Sequence, residues 1–563
     1  MGGCASSAAE PDLPGGQAPQ SPGAGGSASN NLGSGGSYAA STGGSASPPI
    51  SQGAGGGAGS ASSSAGTGSF VPAPTPEDES AVDPGDRYDA PGTNPFVSTE
   101  YDPLSTFAAD VDTASFDIFR RDIGLGSLPA KDSVRLEEYV NNFDYAYAPP
   151  TDESPYPFAI HLAAAPSLNG GGTQLLRVGI QGRPAPAERG PANLVFLVDV
   201  SGSMASVDKL PLVKVVLNEA LNVLEPSDVV SIVTYAGSTE VLLPPTPVTE
   251  QASIRVIIEG LGAAGSTAGG AGIDLAYAQA EAGFIEGGIN HVVLCTDGDF
   301  NVGLSSDEAL LALIEERRKS GVTLTTLGFG SGNLNDSMME KVSNAGNGMY
   351  AVISNADQAV EYANERLLST MIHIAKDMKI QVEFNAGLVV AYRLLGYEDR
   401  AIADEDFRDD AVDAGEVGAG HRVTALYEIV PHDVAIPEPA GAPAIEDGDA
   451  YDGPVAIREN ELVVVRVRYK QPGASESDEA LEVSSALRAE DAAEDVEELD
   501  ADFRWAYAIA TFAEILKESP YADPEALPAL EELFDEARGT AADRAEFRTL
   551  FGQAAPMLDA KSP

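Results

Sequence analysis

The sequence predicts an α/β core, a doubly wound and mostly parallel sheet, inserted in a β-rich flanking domain with a small helical region at the C-terminus. Three observations predict it. Two apolar runs, at 194–198 and 291–296, lead into acids, Asp199 and Asp297. Between and beyond them, β-branched runs alternate with segments of helical period. On both sides of this core, the chain shows short alternating runs typical of half-buried strands.

Taken in order, residues 194–198 form a buried strand that delivers Asp199, Ser201 and Ser203 into one tight turn, which Gly202 lets close. Hard oxygen donors at the carboxyl end of a strand suit a small divalent cation such as Mg²⁺. One carboxylate with two neutral hydroxyls leaves such an ion short of charge and of ligands, able to take an acidic group from another molecule. After the turn, Val213, Leu217, Ala220, Leu221 and Leu224 keep helical spacing. Residues 228–235 are β-rich, and 240–243 read as the second strand of a hairpin. Helices are expected at 254–261 and 273–284, a strand at 291–296, and a helix at 308–319 that Gly321 ends. A strand at 322–329, a helix at 336–343, a strand at 348–353 and a helix at 357–371 complete the core. A glycine-rich loop, G-S-T-A-G-G at 265–270, opens the helix from 273. Ligands of open α/β sheets gather outside the carboxyl ends of the strands, where this loop, the Asp199 turn and Asp297 would meet.

This constellation resembles a von Willebrand factor type A domain, whose metal-ion-dependent adhesion site combines an Asp-x-Ser-x-Ser loop, a threonine loop and an aspartate loop. The resemblance implies that Asp199, Ser201, Ser203, Thr267 and Asp297 hold Mg²⁺ (or Mn²⁺ or Ca²⁺) directly or through water, with Ser266 a rival to Thr267. It implies a protein partner whose Asp or Glu fills the vacant position. Direct ligation by both aspartates would lower the ion's appetite for an anion, so Asp297 is expected to act mainly through water or hydroxyl groups. Further phrases, N-P-F-V-S-T at 94–99, T-D-G-D-F-N-V-G at 296–303, I-Q-V-E-F-N at 380–385, D-A-G-E-V-G-A-G-H-R-V-T-A-L-Y-E at 413–428 and D-F-R-W-A at 502–506, are similar to a bacterial subfamily of these proteins. That subfamily carries characteristic regions on both sides of the type A domain.

The expected organisation is a Gly/Ser/Pro-rich disordered tether at 1–92, an N-terminal flanking region at 93–190, the type A domain at 191–376, a β-rich flanking domain at 377–475, and an acidic linker with C-terminal helices at 476–563. A helix is expected at 134–143. Strands at 156–163 and 174–181 precede the central domain, and strands at 379–384, 389–395, 422–430 and 461–469 follow it. The two flanks are expected to fold as one unit. Two helices, at 501–518 and 527–537, form the C-terminal cap.

Thirty-three Lys and Arg against 86 Asp and Glu give a net charge of -53, which argues against nucleic acid and anionic membrane as partners. Of the two cysteines, Cys295 lies on a central strand and is expected to be a buried, inert thiol. Gly3-Cys4-Ala5-Ser6 resembles the cleavage end of a bacterial lipoprotein signal, although the apolar stretch that should precede it is absent. Cys4 is therefore the candidate lipidation site, the expected address is the bacterial cell envelope, and membrane contact is expected only through that anchor. Met1-Gly2-Gly3-Cys4-Ala5-Ser6 also fits a myristoylation pattern, against which the bacterial resemblance weighs.

Enzymatic signals are weak. G-x-G-x-x-G at 260–265 follows an expected helix rather than a strand, the wrong setting for a dinucleotide. D-V-D-T at 110–113 approaches the D-x-D-x-T phosphotransferase motif, but Thr113 falls one place early, and a structural turn accounts better for Asp110 and Asp112. The five histidines show no paired ligand spacing. The sequence thus points to a non-catalytic, metal-dependent protein-binding module. A scaffold whose ion serves only stability, or a phosphatase centred on Asp110 and Asp112, are the alternatives.

Overall fold

The computed structural model describes residues 85–560, apart from 169–170, 187, 266–268, 299–306, 413, 452 and 475–477. Cys4, Ser266 and Thr267 lie outside the described residues. Ahead of the central domain come β1 (Val97–Ser98), β2 (Leu104–Ala108), α1 (Ala114–Gly124), α2 (Leu136–Asn141), β3 (Phe158–Pro166) and β4 (Gln174–Gly182). Helix α2 is shorter than the expected 134–143. Its preceding residue, Arg135, has extended backbone and commits its side chain to a buried ion pair with Asp336. Contacts also begin before the expected tether boundary at 92, because Arg87 forms a parallel bridge to Asn335. D-P-G-D-R-Y-D at 83–89 has the composition of a loop, and its pairing rests on backbone groups that composition does not report.

Six strands build the central sheet: β5 (Ala192–Asp199), β6 (Val229–Tyr235), β7 (Thr239–Pro247), β8 (Ile289–Thr296), β9 (Thr323–Phe329) and β10 (Tyr350–Ile353). Their order is β10-β9-β8-β5-β6-β7, parallel except for the β6–β7 hairpin. Every residue of β5 is buried. Leu194, Phe196 and Val198 face α3 (Leu210–Val223) and α4 (Gln251–Gly260). Val195 and Leu197 face α5 (Gly269–Ala282), α6 (Asp307–Arg318) and α7 (Asp336–Ala345). A parallel strand covered by helices on both sides needs apolar residues at successive positions, hence the unbroken L-V-F-L-V. Each such side chain contributes about 1.5–3 kcal/mol on burial. The doubly wound class expected from the sequence is the one observed.

The last helical stretch is not one regular helix over 357–371. Instead, α8 (Ala356–Glu361) passes through a π-helical turn at Tyr362–Arg366 into α9 (Leu367–Met371). Only Ile372 separates α9 from β11 (His373–Phe384), which starts well before the expected 379. Register shifts and a left-handed Asp377 (φ 49°) break the alternation at the start of β11 and hide that start from a periodicity reading.

The remaining strands are β12 (Val389–Leu395), β13 (Gly415–Gly418), β14 (Arg422–Pro431), β15 (Glu461–Lys470) and β16 (Leu481–Arg488). They complete two further sheets, β1-β12-β14-β4-β3 and β13-β11-β15-β16, with β2 also paired to β11. Both sheets mix strands from before and after the central domain: Leu176 lies opposite Tyr427, and Thr106 opposite Gln381. Val178, Ile180, Val382, Phe384 and Val465 share the core of this unit. Strand β16 corrects the expected acidic linker from 476. It is an edge strand with only Leu487 buried, so its pattern resembles a solvated segment.

Three C-terminal helices, α10 (Ala501–Leu516), α11 (Leu527–Ala537) and α12 (Ala542–Asp559), pack on α1 and α2 through an aromatic core that includes Phe116, Phe143, Trp505 and Phe547. Helix α12 goes beyond the two expected; Gly552 and Pro556 within it weaken its sequence signature. Among the described residues, no helix is long and apolar enough to cross a membrane.

Because β1, β2 and β4 pair with strands that follow residue 376, a variant ended after Lys376 should lose residues 94–190 to trace protease that leaves the full chain intact. A resistant, cooperatively melting 94–190 segment in that variant would refute the pairing as the source of its stability.

Candidate metal centre

Parallel register places Val198 opposite Cys295, so β5 and β8 deliver Asp199 and Asp297 side by side at one edge of the sheet. Beyond β5 the chain turns at once. The Ser201 amide donates to Asp199 Oδ1 at 2.8 Å, and the Thr296 hydroxyl donates to Asp199 Oδ2 at 3.1 Å. Ser201 Oγ and Ser203 Oγ lie 2.9 Å apart, and Ser203 is in turn hydrogen-bonded to Asp297. One connected set of oxygens thus runs from the first acid to the second.

The third loop approaches through its described part. The Gly202 amide donates to the Gly265 carbonyl at 3.0 Å, and the Ala264 amide to the Val200 carbonyl at 2.7 Å. The G-x-G-x-x-G segment therefore ends α4 and braces the Asp199 turn, rather than cradling a nucleotide. On the far side, Gly298 adopts φ 87°, and a Cβ there would stand 2.4 Å from the Asn335 amide. Only glycine allows that approach of the aspartate loop to the 330–335 loop.

The two acids are treated differently. Lys209 Nζ donates to Asp297 Oδ2 at 3.0 Å, and Asn333 Nδ2 donates to the same oxygen at 3.0 Å. Burial pushes the Asp297 carboxyl up, but Asn333, Ser203 and Lys209 together hold it below its ordinary value. Asp199 is fully buried, and among the described residues no Lys, Arg or His forms an ion pair with it. Burial is the main cause that lifts its carboxyl from 3.8 to about 6, with Asp297 adding to the rise and the Ser201 and Thr296 hydrogen bonds opposing it.

Of the sequence candidates, Asp199, Ser201, Ser203 and Asp297 converge, and Thr267 with its rival Ser266 lies outside the described residues. Sequence reasoning did not single out Lys209, Asn333 or Thr296 as parts of this site. Thr296 had a signal, its place directly before Asp297; Lys209 and Asn333 had none, because their roles arise from tertiary contacts. The donor set fits a small hard cation: oxygens only, with one buried carboxylate whose charge the protein leaves largely unbalanced. Among the described residues, no group of three or more His, Cys, Asp or Glu is placed to hold a metal.

Cys295 is buried, and burial pushes its thiol up, consistent with an inert core position. Asp110 and Asp112 are occupied by structure. Asp110 accepts from the Asp112 amide and from Arg400 Nε, and Asp112 accepts from the Tyr350 amide and from Arg400 Nη2.

In the ion-free protein, the folded state holds the Asp199 proton more tightly than the unfolded chain does. Below about pH 4 the group costs nothing, and above about pH 6 its ionisation costs the folded state about 3 kcal/mol. In EDTA at pH 7.5, Asp199→Asn should therefore melt several degrees above wild type, and the gap should close as pH falls to 4. Equal melting temperatures at pH 7.5 would show that the carboxylate is not under this strain.

The chain is 37% identical over 485 residues to the uncharacterized protein YfbK of Escherichia coli (strain K12), covering 84% of this chain and 82% of that protein. Three family models match successive stretches. Residues 83–177 match "von Willebrand factor", 193–366 "von Willebrand factor type A domain", and 369–557 "Uncharacterized protein YfbK, C-terminal". Among solved structures, a von Willebrand factor type A protein from Catenulispora acidiphila has 17% identity and a TM-score of 0.40, covering 73% of this chain and 91% of that one. Proximal thread matrix protein 1 from the mussel byssus, solved with a zinc-occupied MIDAS motif, has 23% identity and a TM-score of 0.26, covering 31% of this chain and 45% of that one.

Proposed function

This chain belongs to the YfbK-like family of von Willebrand factor type A domain proteins, and on that premise we propose that it is a non-catalytic, divalent-metal-dependent protein-binding module of the bacterial cell envelope. The observation that carries this reading is the unequal balance of the two acids. Asp199 supplies a buried carboxylate without a matched cation, while Asp297 is already neutralised by Lys209. Asp199, with the Ser201 and Ser203 hydroxyls, would hold the ion, and Thr267 would complete the set from the third loop. Asp297 orients the Ser203 hydroxyl and keeps its own charge away from the ion. Mg²⁺ (or Mn²⁺ or Ca²⁺) bound here supplies an under-neutralised positive centre that favours a further hard oxygen, such as a partner's Asp or Glu.

A Gly/Ser-rich segment behind Cys4 supports a tethered display of the binding face, with lipidation of Cys4 as the anchor. Radiolabelled palmitate should enter the protein expressed from its own gene in its bacterial host and not the Cys4→Ser variant; equal labelling of both would remove Cys4 as the anchor.

The functional test is capture from a bacterial envelope extract by the full chain, with Mg²⁺ or with EDTA, alongside Asp199→Ala. Wild type should retain a partner only with Mg²⁺, and Asp199→Ala should retain at most about a tenth as much while melting within a few degrees of wild type. Retention in EDTA accompanied by a large fall in melting temperature would instead identify an ion that serves stability.

A further inference from the structure

The loop that holds Asp297 from the far side is itself held from outside the central domain. Asn333, which donates to Asp297 and accepts from Lys209, lies in the 330–335 loop. That loop is gripped by residues 86–87, which precede every strand of the fold. Asp86 Oδ1 accepts both the Gly332 amide at 2.8 Å and the Leu334 amide at 2.9 Å. The Arg87 amide donates to the Leu334 carbonyl at 2.7 Å, and the Asp336 amide donates to the Arg87 carbonyl at 3.1 Å. Arg121, from α1, closes the grip by pairing with Asp86 at 2.6 Å and donating to the Gly330 carbonyl at 3.2 Å. The Lys209 stem packs under the same loop, since a Cβ on Gly330 would meet it at 2.6 Å.

Two amides on one carboxylate oxygen fix the path of the loop on both sides of Asn333. Without them, Gly332 and Leu334 would need water, and Gly330 and Gly332, both with positive φ, would let the backbone move. The Asn333 amide would then no longer be held against Asp297, and Lys209 would lose its second acceptor.

We propose that Asp86 is a positioning residue of the metal centre: the segment around it straps the 330–335 loop, and through Asn333 and Lys209 holds the orientation and the ion pair of Asp297. The proposal rests on the metal-site reading above. It makes the affinity for the cation depend on a segment outside the type A domain. A partner that seizes the strap, a cut within it, or tension on the chain before it would be read out at Asp297.

The experiment is titration of the full-length protein with Mn²⁺, counting free ion by electron paramagnetic resonance, for wild type, Asp199→Ala, Asp86→Ala, Asn333→Ala, the Asp86/Asn333 double variant, and Asp89→Ala. Asp89 lies on the same strap but bonds to Ser337 and Lys341 at the surface, so its variant controls for general loosening. Asn333→Ala should weaken Mn²⁺ binding roughly tenfold and Asp86→Ala about three- to tenfold, within the range seen for groups that orient metal ligands. Asp89→Ala should bind as wild type. The double variant should be no weaker than Asn333→Ala alone, because the strap acts through that residue. Wild-type affinity in Asp86→Ala, or additive losses in the double variant, would overturn the proposal. Absence of any Mn²⁺ binding that Asp199→Ala abolishes would be a different failure, that of the metal site, and the strap would fall with it. Should Asp86→Ala melt far below wild type, Asp86→Asn keeps an oxygen for both amides but makes those hydrogen bonds with a neutral, weaker acceptor and loses the ion pair with Arg121. Hydrogen exchange at 330–335 should then rise together with a weaker Mn²⁺ affinity, and faster exchange with unchanged affinity would overturn the proposal.

Discussion

A carboxylate placed at the end of a strand buried on both faces cannot relax into water, and the organisation of this centre follows from that constraint. Strand β5 is fixed by parallel partners on each side and by helices above and below, so Asp199 cannot retreat without unpairing the middle of the sheet. The protein answers the charge of Asp297 with a lysine and an asparagine, and leaves Asp199 with hydroxyl and amide hydrogen bonds. Hydrogen bonds of that kind reduce the penalty of burial without cancelling it. The polarity of the site is therefore written in which acid received a cation.

The central domain does not stand apart from its flanks. Arg135, at the start of α2, pairs with Asp336 at 2.6 Å, and Arg400 from the C-terminal flank pairs with Asp110 and Glu340. Helix α7, which carries Asp336 and Glu340, is thus clamped from both sides by buried ions. Burial pushes the Asp112 carboxyl up to about 8 and raises that of Glu340 as well; Arg400 works against the rise at both, and Arg135 at Glu340. Such pairs are weak contributors to net stability and strong penalties when one partner is removed, so they fix geometry more than they add cohesion. The passage from α9 to β11 through a single residue adds a short covalent connection.

Much of this was legible in the chain. The apolar runs before Asp199 and Asp297 announced buried strands because a parallel strand must be apolar on both faces. The Asp-x-Ser-x-Ser turn announced oxygen chemistry because its donors are adjacent in sequence. What escaped detection lacked local causes. Lys209 and Asn333 reach Asp297 across 88 and 36 residues, and nothing near either one marks it. The grip of Asp86 on the 330–335 loop consists of backbone amides, which every sequence possesses. Strand β16 escaped because an edge strand among acidic residues has little to bury, and α12 because Gly552 and Pro556 interrupt its period.

The interleaving of the flank strands also bears on how the chain is born. Thr106 and Gln381 touch across 275 residues, with the whole central domain synthesised between them. At ribosomal speeds of about 5–20 residues per second, β2 waits on the order of tens of seconds for its neighbour to emerge. During that interval its edge, and those of β1 and β4, are open to any passing strand. The nascent N-terminal region should therefore be a client for chaperones until β11 to β15 arrive, whereas the six strands of the central sheet, which pair with one another within one continuous stretch, can assemble as soon as they emerge.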